Sequence, residues 1–197
     1  MKYSKIRPSF YVDNRSRLIS QLADNSLLIL YSSEEYPRNG DQFFPFRQNS
    51  DLFYLTGIDQ ENTALLIWKD SQERNNKTML FIKKADKNQE IWYGKKLNKE
   101  KATLISGIDL VYFFDEMDGF ISDFSSKANN FYSWQPDFAK FDHSVLACSH
   151  NMNALTKSEL SHLNQINLFE LTSKLRLIKK DEELIQMKKA IQITKDA

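Results

Sequence analysis

Side chains able to do chemistry are sparse in this chain and poorly spaced for it. The three histidines, His143, His150 and His162, lie seven and twelve residues apart, without an H-E-x-x-H motif or a cysteine pair nearby. His143 and His150 could share a helix face, but two imidazoles without a matched carboxylate make a poor metal site. Surface or locally hydrogen-bonded histidines are the preferred reading. Asp115, Glu116 and Asp118 resemble general acid–base carboxylates only in type, because their place at an expected helix start explains them through the helix dipole. Cys148, between Ala147 and Ser149, reads as a small packed residue. No G-x-S-x-G elbow, P-loop or G-x-G-x-x-G occurs, and only 5 glycines are available to build one. The residues predict no catalytic group and no metal ligand in this chain.

One segment stands apart, residues 38–57, RNGDQFFPFRQNSDLFYLTG. It sets Arg38, Asp41, Arg47 and Asp51 among Phe43, Phe44, Phe46, Phe53 and Tyr54. A loop that only connects elements is usually small and polar, because its backbone must stay wet. Interleaved charge and large aromatics suit a docking or substrate-facing loop. A solvated turn followed by a buried strand is the competing reading.

The elements that must hold such a loop alternate between helix and strand. Residues 13–24 carry Leu18, Ile19 and Leu22 on one face and predict a helix. Ser26–Tyr31 is a continuous apolar run, as in a strand covered on both faces. Residues 63–68 and 78–82 predict an antiparallel hairpin joined by the polar stretch DSQERNNK. Residues 98–106 suit a short helix, 110–114 a strand, 115–126 a helix and 130–134 a strand; 136–163 is mainly helical in pattern. The final segment, 181–197, has acids in its first turn and an apolar stripe at Leu184, Met187 and Ile191. The one candidate linker is 175–180. These elements predict an α/β fold, a mixed sheet with helices on both faces.

Composition narrows the class. At 197 residues, one domain with a sizeable core is the default. Hydrophobic residues at 41% and charged residues at 27% are ordinary for a globular protein. A net charge of +1 gives no electrostatic footprint for nucleic acid or anionic lipid. A single cysteine allows no internal disulfide. The start, MKYSKIRPSF, lacks the apolar run of a signal peptide, and no segment reaches the ~18 apolar residues of a membrane span. The expectation is a cytoplasmic protein that meets neither nucleic acid nor membrane.

The order RNGD, PFRQNSD, YLTG resembles the N-terminal domain of Xaa-Pro aminopeptidases (aminopeptidase P) in the creatinase/prolidase family. Three further stretches agree in register. QEIWYG (89–94) is similar to the family's E-x-W-x-G turn and is followed by Lys95 and Lys96. LISGIDL (104–110) resembles the lead into the next strand. RLIKKDEELI (176–185) resembles the R-x-I-K linker that opens the catalytic domain. The resemblance spans roughly 12–197. It implies a mostly parallel sheet with a hairpin, of ribonuclease H-like type, over residues 1–174, with 175–197 forming the linker and first helix of a catalytic domain cut short.

The resemblance also implies a function. The chemistry would lie in a missing C-terminal "pita-bread" domain whose two Asp, one His and two Glu hold two divalent metal ions, commonly manganese. There a water would attack the bond between an N-terminal residue and the proline that follows it. This chain alone would be inert; its part would be to support a homo-oligomer and cap the cleft of a neighbouring subunit. Trp92 is the first candidate to face the peptide, offering a flat indole to a proline ring; packing in a core or hairpin is its alternative. Tyr93 stands where many relatives have Asp or Phe. Asp41 is the second, able to pair with an arginine or hold the peptide's ammonium; a turn role beside Gly40 competes. Arg38 and Arg47 would brace the loop through Asp41 or Asp51. Two other readings share the fold: a binding module without metal ligands, as in a histone-chaperone subunit, and a prolidase or creatinase.

Overall fold

The structure, a computed structural model, describes residues 6–84, 94–134 and 158–196. Its centre is β1 (Ser26–Tyr31), six residues that are all buried. The run S-L-L-I-L-Y is apolar on both faces because helices cover both. After β1 the chain makes a small exposed hairpin, β2 (Pro37–Asn39) and β3 (Gln42–Phe43), and a short helix, α2 (Ser50–Thr56). It returns as β4 (Ala64–Lys69) antiparallel to β1, pairing Leu28 with Ile67 and Leu30 with Leu65. β5 (Lys77–Ile82) is antiparallel to β4 across the expected polar loop. Three parallel pairs complete the sheet: β6 (Leu110–Phe113) on β5, β7 (Asn130–Ser133) on β1, and β8 (Asn164–Asn167) on β7. The strand order is β6-β5-β4-β1-β7-β8. This is the mixed, mostly parallel α/β sheet expected.

Period-2 alternation sends successive side chains to opposite faces. Leu28, Leu30, Leu65, Ile67, Leu80 and Ile82 meet one layer of helices. That layer holds α1 (Pro8–Ile19), α2, α3 (Lys99–Ser106) and α5 (Phe169–Leu177). Leu27, Ile29, Leu66, Trp68, Met79 and Phe81 meet α4 (Met117–Ser125) and Leu160 and Leu163. On that side Trp68 stacks on Phe124 with ring centroids 5.3 Å apart.

Arg15 crosses the first layer. Its guanidinium donates to the carbonyls of Leu55 (2.6 Å) and Gly107 (3.3 Å), tying α1 to the C-terminal ends of α2 and α3, where carbonyls lack helical partners. Burial pulls the guanidinium down to about 10.

Several boundaries differ from the sequence reading. The first helix starts at Pro8 rather than residue 13, because a proline fits the first turn and Phe10 and Tyr11 fill the core. It stops at Ile19, and Asn25, at φ 52, turns the chain into β1. Residues 135–157, most of the expected 136–163 helical region, lie outside the described residues. β8 and α5 follow it unanticipated, since N-Q-I-N has one apolar residue and only Thr172 and Leu175 of α5 are buried. Because α5 runs to Leu177, the segment before the last helix, α6 (Asp181–Asp196), shrinks to 178–180. Glu116 acts as a helix-start acid, its carboxylate accepting from the Phe113 N–H at 2.6 Å. No α6 residue is buried, and Leu184, Met187 and Ile191 are exposed.

Candidate functional site

Segment 38–57 is an exposed hairpin on a pinned stem, followed by a capped helix. β2 and β3 pair Pro37 with Phe43 and Asn39 with Gln42 around Gly40 and Asp41. Gly40 sits at φ +57, a conformation that other L residues adopt at a cost. Below the hairpin the Phe44 N–H donates to the Tyr36 carbonyl at 2.9 Å. Tyr36, Phe43 and Phe44 are about half exposed, and the Arg38 guanidinium lies 5.8 Å from the Phe44 ring centroid. The hairpin thus presents ring surface to solvent beside a cation. Arg38 and Asp41 are both exposed at this tip.

The buried Gln48 fixes the stem. Its Oε1 accepts from the Ser33 N–H (3.1 Å) and the Asn49 N–H (2.8 Å), and its Nε2 donates to the Gln60 carbonyl (2.9 Å). Asn49 then caps α2, its Oδ1 accepting from the N–H groups of Asp51 (2.9 Å) and Leu52 (3.1 Å). The helix closes at Gly57, φ +70, packed against the Tyr11 ring.

Asp51 faces inward. Its carboxylate accepts from Thr172 Oγ1 at 2.9 Å and Arg176 Nη1 at 2.6 Å, joining α2 to α5. The expected bracing of Asp51 by Arg38 or Arg47 gives way to Arg176, because α5 brings that guanidinium beside the carboxylate while Arg38 rides on the hairpin. Arg47 is exposed and lines a groove of about 820 Å³ with Phe10, Phe53, Asp59, Arg176 and Met187. Next along the chain, Lys180 donates to Asp13 and to Asn14 Oδ1 (2.8 Å) and lies over the Phe10 ring. Pairing with Lys180 holds the Asp13 carboxyl below its usual range. The motifs PFRQNSD and R-L-I-K thus meet in space, one supplying Asp51 and the other Arg176.

Trp92, the first candidate, lies outside the described residues, as do His143, Cys148 and His150. The sequence reading passed over Gln48, Asn49 and Arg176, and it missed Glu61. Their signals were present as an N-S-D helix start and as acids and amides beside apolar runs, but their partners are distant in sequence. Glu61 is buried and accepts from Lys96 Nζ (2.6 Å) and Lys83 Nζ (3.5 Å). Burial pushes its carboxyl up, but the hydrogen bonds from Lys96 and its own backbone N–H, with both ammonium charges, bring it below its usual range. Among the described residues no three His, Cys, Asp or Glu side chains group to hold a metal ion, and no helix is long and apolar enough to cross a membrane.

Residues 11–132 match the family model of the aminopeptidase P N-terminal domain, well over half of the chain. The chain belongs to this family. The aminopeptidase P N-terminal domain described here is 26% identical over 192 residues to the Xaa-Pro aminopeptidase of Escherichia coli, covering 97% of this chain and 43% of that protein. It is 29% identical over 191 residues to the Xaa-Pro aminopeptidase of Haemophilus influenzae, covering 97% and 42%. Among solved structures, a Bacillus anthracis protein assigned to aminopeptidase P superposes with a TM-score of 0.83 at 28% identity, over 97% of this chain and 45% of that one. E. coli aminopeptidase P with the inhibitor Pro-Leu gives 0.75 at 25% identity, over 92% and 41%. The domain therefore spans less than half the length of the relatives it matches.

Proposed function

We propose that this domain is the non-catalytic N-terminal part of a metal-dependent Xaa-Pro aminopeptidase. In this reading it supports a homo-oligomer and caps the catalytic cleft of a neighbouring subunit. The observation that carries the reading is the hairpin. Arg38, Asp41 and three half-exposed aromatics stand at or beside its tip, on a stem pinned through the buried Gln48. A rigid, exposed element bearing charge and ring faces can order a peptide bound elsewhere, which lowers the entropic cost of binding.

The relatives' names supply the substrate class: peptides with proline at the second position. A proline amide lacks an N–H and fixes φ, so a pocket must recognise ring shape and the free amino terminus instead. Trp92 offers the ring a flat apolar face. Asp41 holds the ammonium through a charge-assisted hydrogen bond. An E. coli relative is described as zinc-substituted with product bound. The described part of this chain does not fit such ions, since Asp51 and Glu61 already serve Arg176 and the two lysines. Two divalent ions, manganese in this reading, would be held by the catalytic domain.

The test is steady-state hydrolysis of an Xaa-Pro peptide by the full-length enzyme and its Trp92→Ala and Asp41→Asn variants. Loss of substrate-facing contacts raises KM by about tenfold each, the equivalent of ~1.4 kcal/mol. Parent values of KM and kcat in both variants would refute the reading.

A further inference from the structure

α6 contributes no side chain to the core. None of its residues is buried, and a groove of about 820 Å³ lies between its Glu183, Gln186 and Met187 and the aromatic wall of α1 and α2. Only residues 178–180 join it to α5, and Ile178 is 81% exposed, so apolar packing does not set the direction in which α6 leaves. Polar contacts at Lys180 do. Its carbonyl accepts the first bond of the helix, from the Leu184 N–H at 3.0 Å, and its own N–H donates to Glu183 Oε2 at 3.0 Å, as in one half of a capping box. The Lys180 backbone is therefore the first unit of α6, while its side chain lies on α1. There the ammonium donates to Asp13 and to Asn14 Oδ1 (2.8 Å) and sits 5.4 Å from the Phe10 ring centroid. Asn14 is fully buried, and its Nδ2 is tied to the Tyr54 carbonyl (3.0 Å), which fixes its Oδ1 toward Lys180.

We propose that Lys180 is a positioning residue, a latch that holds the start of α6 on α1 and so fixes the helix in one direction against the frame that carries the exposed hairpin. That frame is continuous. Gln48 pins the hairpin stem between Ser33 and Asn49, Asn49 caps α2, and α2 gives its Tyr54 carbonyl to Asn14. The other tie, Arg176 to Asp51, lies before the extended Ile178 (ψ 117), so it orders α5 and leaves the turn into α6 to Lys180. The side chains of Lys180 and Asp13 are 22% and 59% exposed, so solvent screens the ion pair, and the buried amide of Asn14 gives the latch its geometry. In the full-length reading proposed above, on which the enzymatic part of this inference rests, the direction of α6 sets where the hairpin stands relative to the catalytic domain.

The first arm of the test uses this chain with Cys148→Ser and nitroxide labels at Lys101→Cys on α3 and Lys188→Cys on α6, both exposed positions. Pulsed electron spin resonance should give one narrow distance distribution in this background and with Lys180→Arg, which keeps the cation, and one about twofold wider with Lys180→Met. Amide protection of β1 and β4, unchanged in all three, verifies folding. A distribution as narrow as the parent's in Lys180→Met, or equal broadening in Lys180→Arg, would overturn the latch. The second arm is steady-state hydrolysis of an Xaa-Pro peptide by the full-length enzyme. Lys180→Met should raise KM by about tenfold with kcat held, and Lys180→Arg should keep the parent values. A parent KM in Lys180→Met, whether or not kcat falls, would overturn the positioning role. An inert full-length parent would overturn the proposed function itself, while the first arm still decides the latch.

Discussion

Replacing Asp51 with alanine separates α2 from α5, and the loss can be worked from the contacts. Thr172, 1% exposed, keeps only long bonds to the Leu168 and Phe169 carbonyls (3.4 and 3.3 Å), so losing its 2.9 Å acceptor costs about 1 kcal/mol. The Arg176 side chain is 41% exposed, and water screens the pair, so its share is only about 0.5–1 kcal/mol despite the 2.6 Å contact. An acid in the first turn of α2 adds about 0.3–1 kcal/mol through the helix dipole. The sum is roughly 2–3 kcal/mol. At ~2–4 °C per kcal/mol for a domain of this size, thermal unfolding followed by circular dichroism should show Tm falling by about 4–12 °C. Arg176→Met should cost about 0.5–1 kcal/mol, and its effect should vanish in the Asp51→Ala background. A Tm within ~1 °C of the parent for Asp51→Ala, or full additivity with Arg176→Met, would show that Asp51 does not tie α2 to α5 through these contacts.

Two contrasts test other parts of the fold. Gly57→Ala places a methyl 2.4 Å from the buried Tyr11 ring at φ +70, so urea unfolding should report a loss of about 2–4 kcal/mol. Gly40→Ala, at φ +57 with nothing within 4 Å, should lose only about 1 kcal/mol. Glu61 titrates below its usual range in the folded chain, so its contribution is complete above the unfolded value of ~4.3 and lost as pH falls through the folded value. Stability should therefore decline less steeply below pH ~4.3 in Glu61→Gln than in the parent; equal slopes in urea titrations would contradict the assignment.

Where a signal was local, the sequence announced it. The short apolar runs S-L-L-I-L-Y and A-L-L-I-W-K read as strands, the first covered on both faces, and 98–106 as a short helix, which Asn98 and Gly107 cap in the structure. β8 and α5 were illegible because they bury only one narrow edge and carry little periodicity. The partner of Asp51 was equally hidden. Arg38 and Arg47 are its sequence neighbours, but the sheet brings α5 and Arg176 across 125 residues to reach it. Glu61 drew no reading from its sequence neighbours, and only folding shows two lysines converging on it. A turn role for Asp41 beside Gly40 was the competing reading, and the hairpin places Gly40 and Asp41 at its exposed tip.

In the proposed function this domain lends contacts to chemistry performed elsewhere. The most direct measurement is hydrolysis of an Xaa-Pro peptide with added Mn²⁺, comparing the 197-residue chain with the full-length protein at equal concentration. Turnover by the full-length protein and none by the 197-residue chain is the expected outcome. Turnover by the chain alone, or an inert full-length protein, would contradict it.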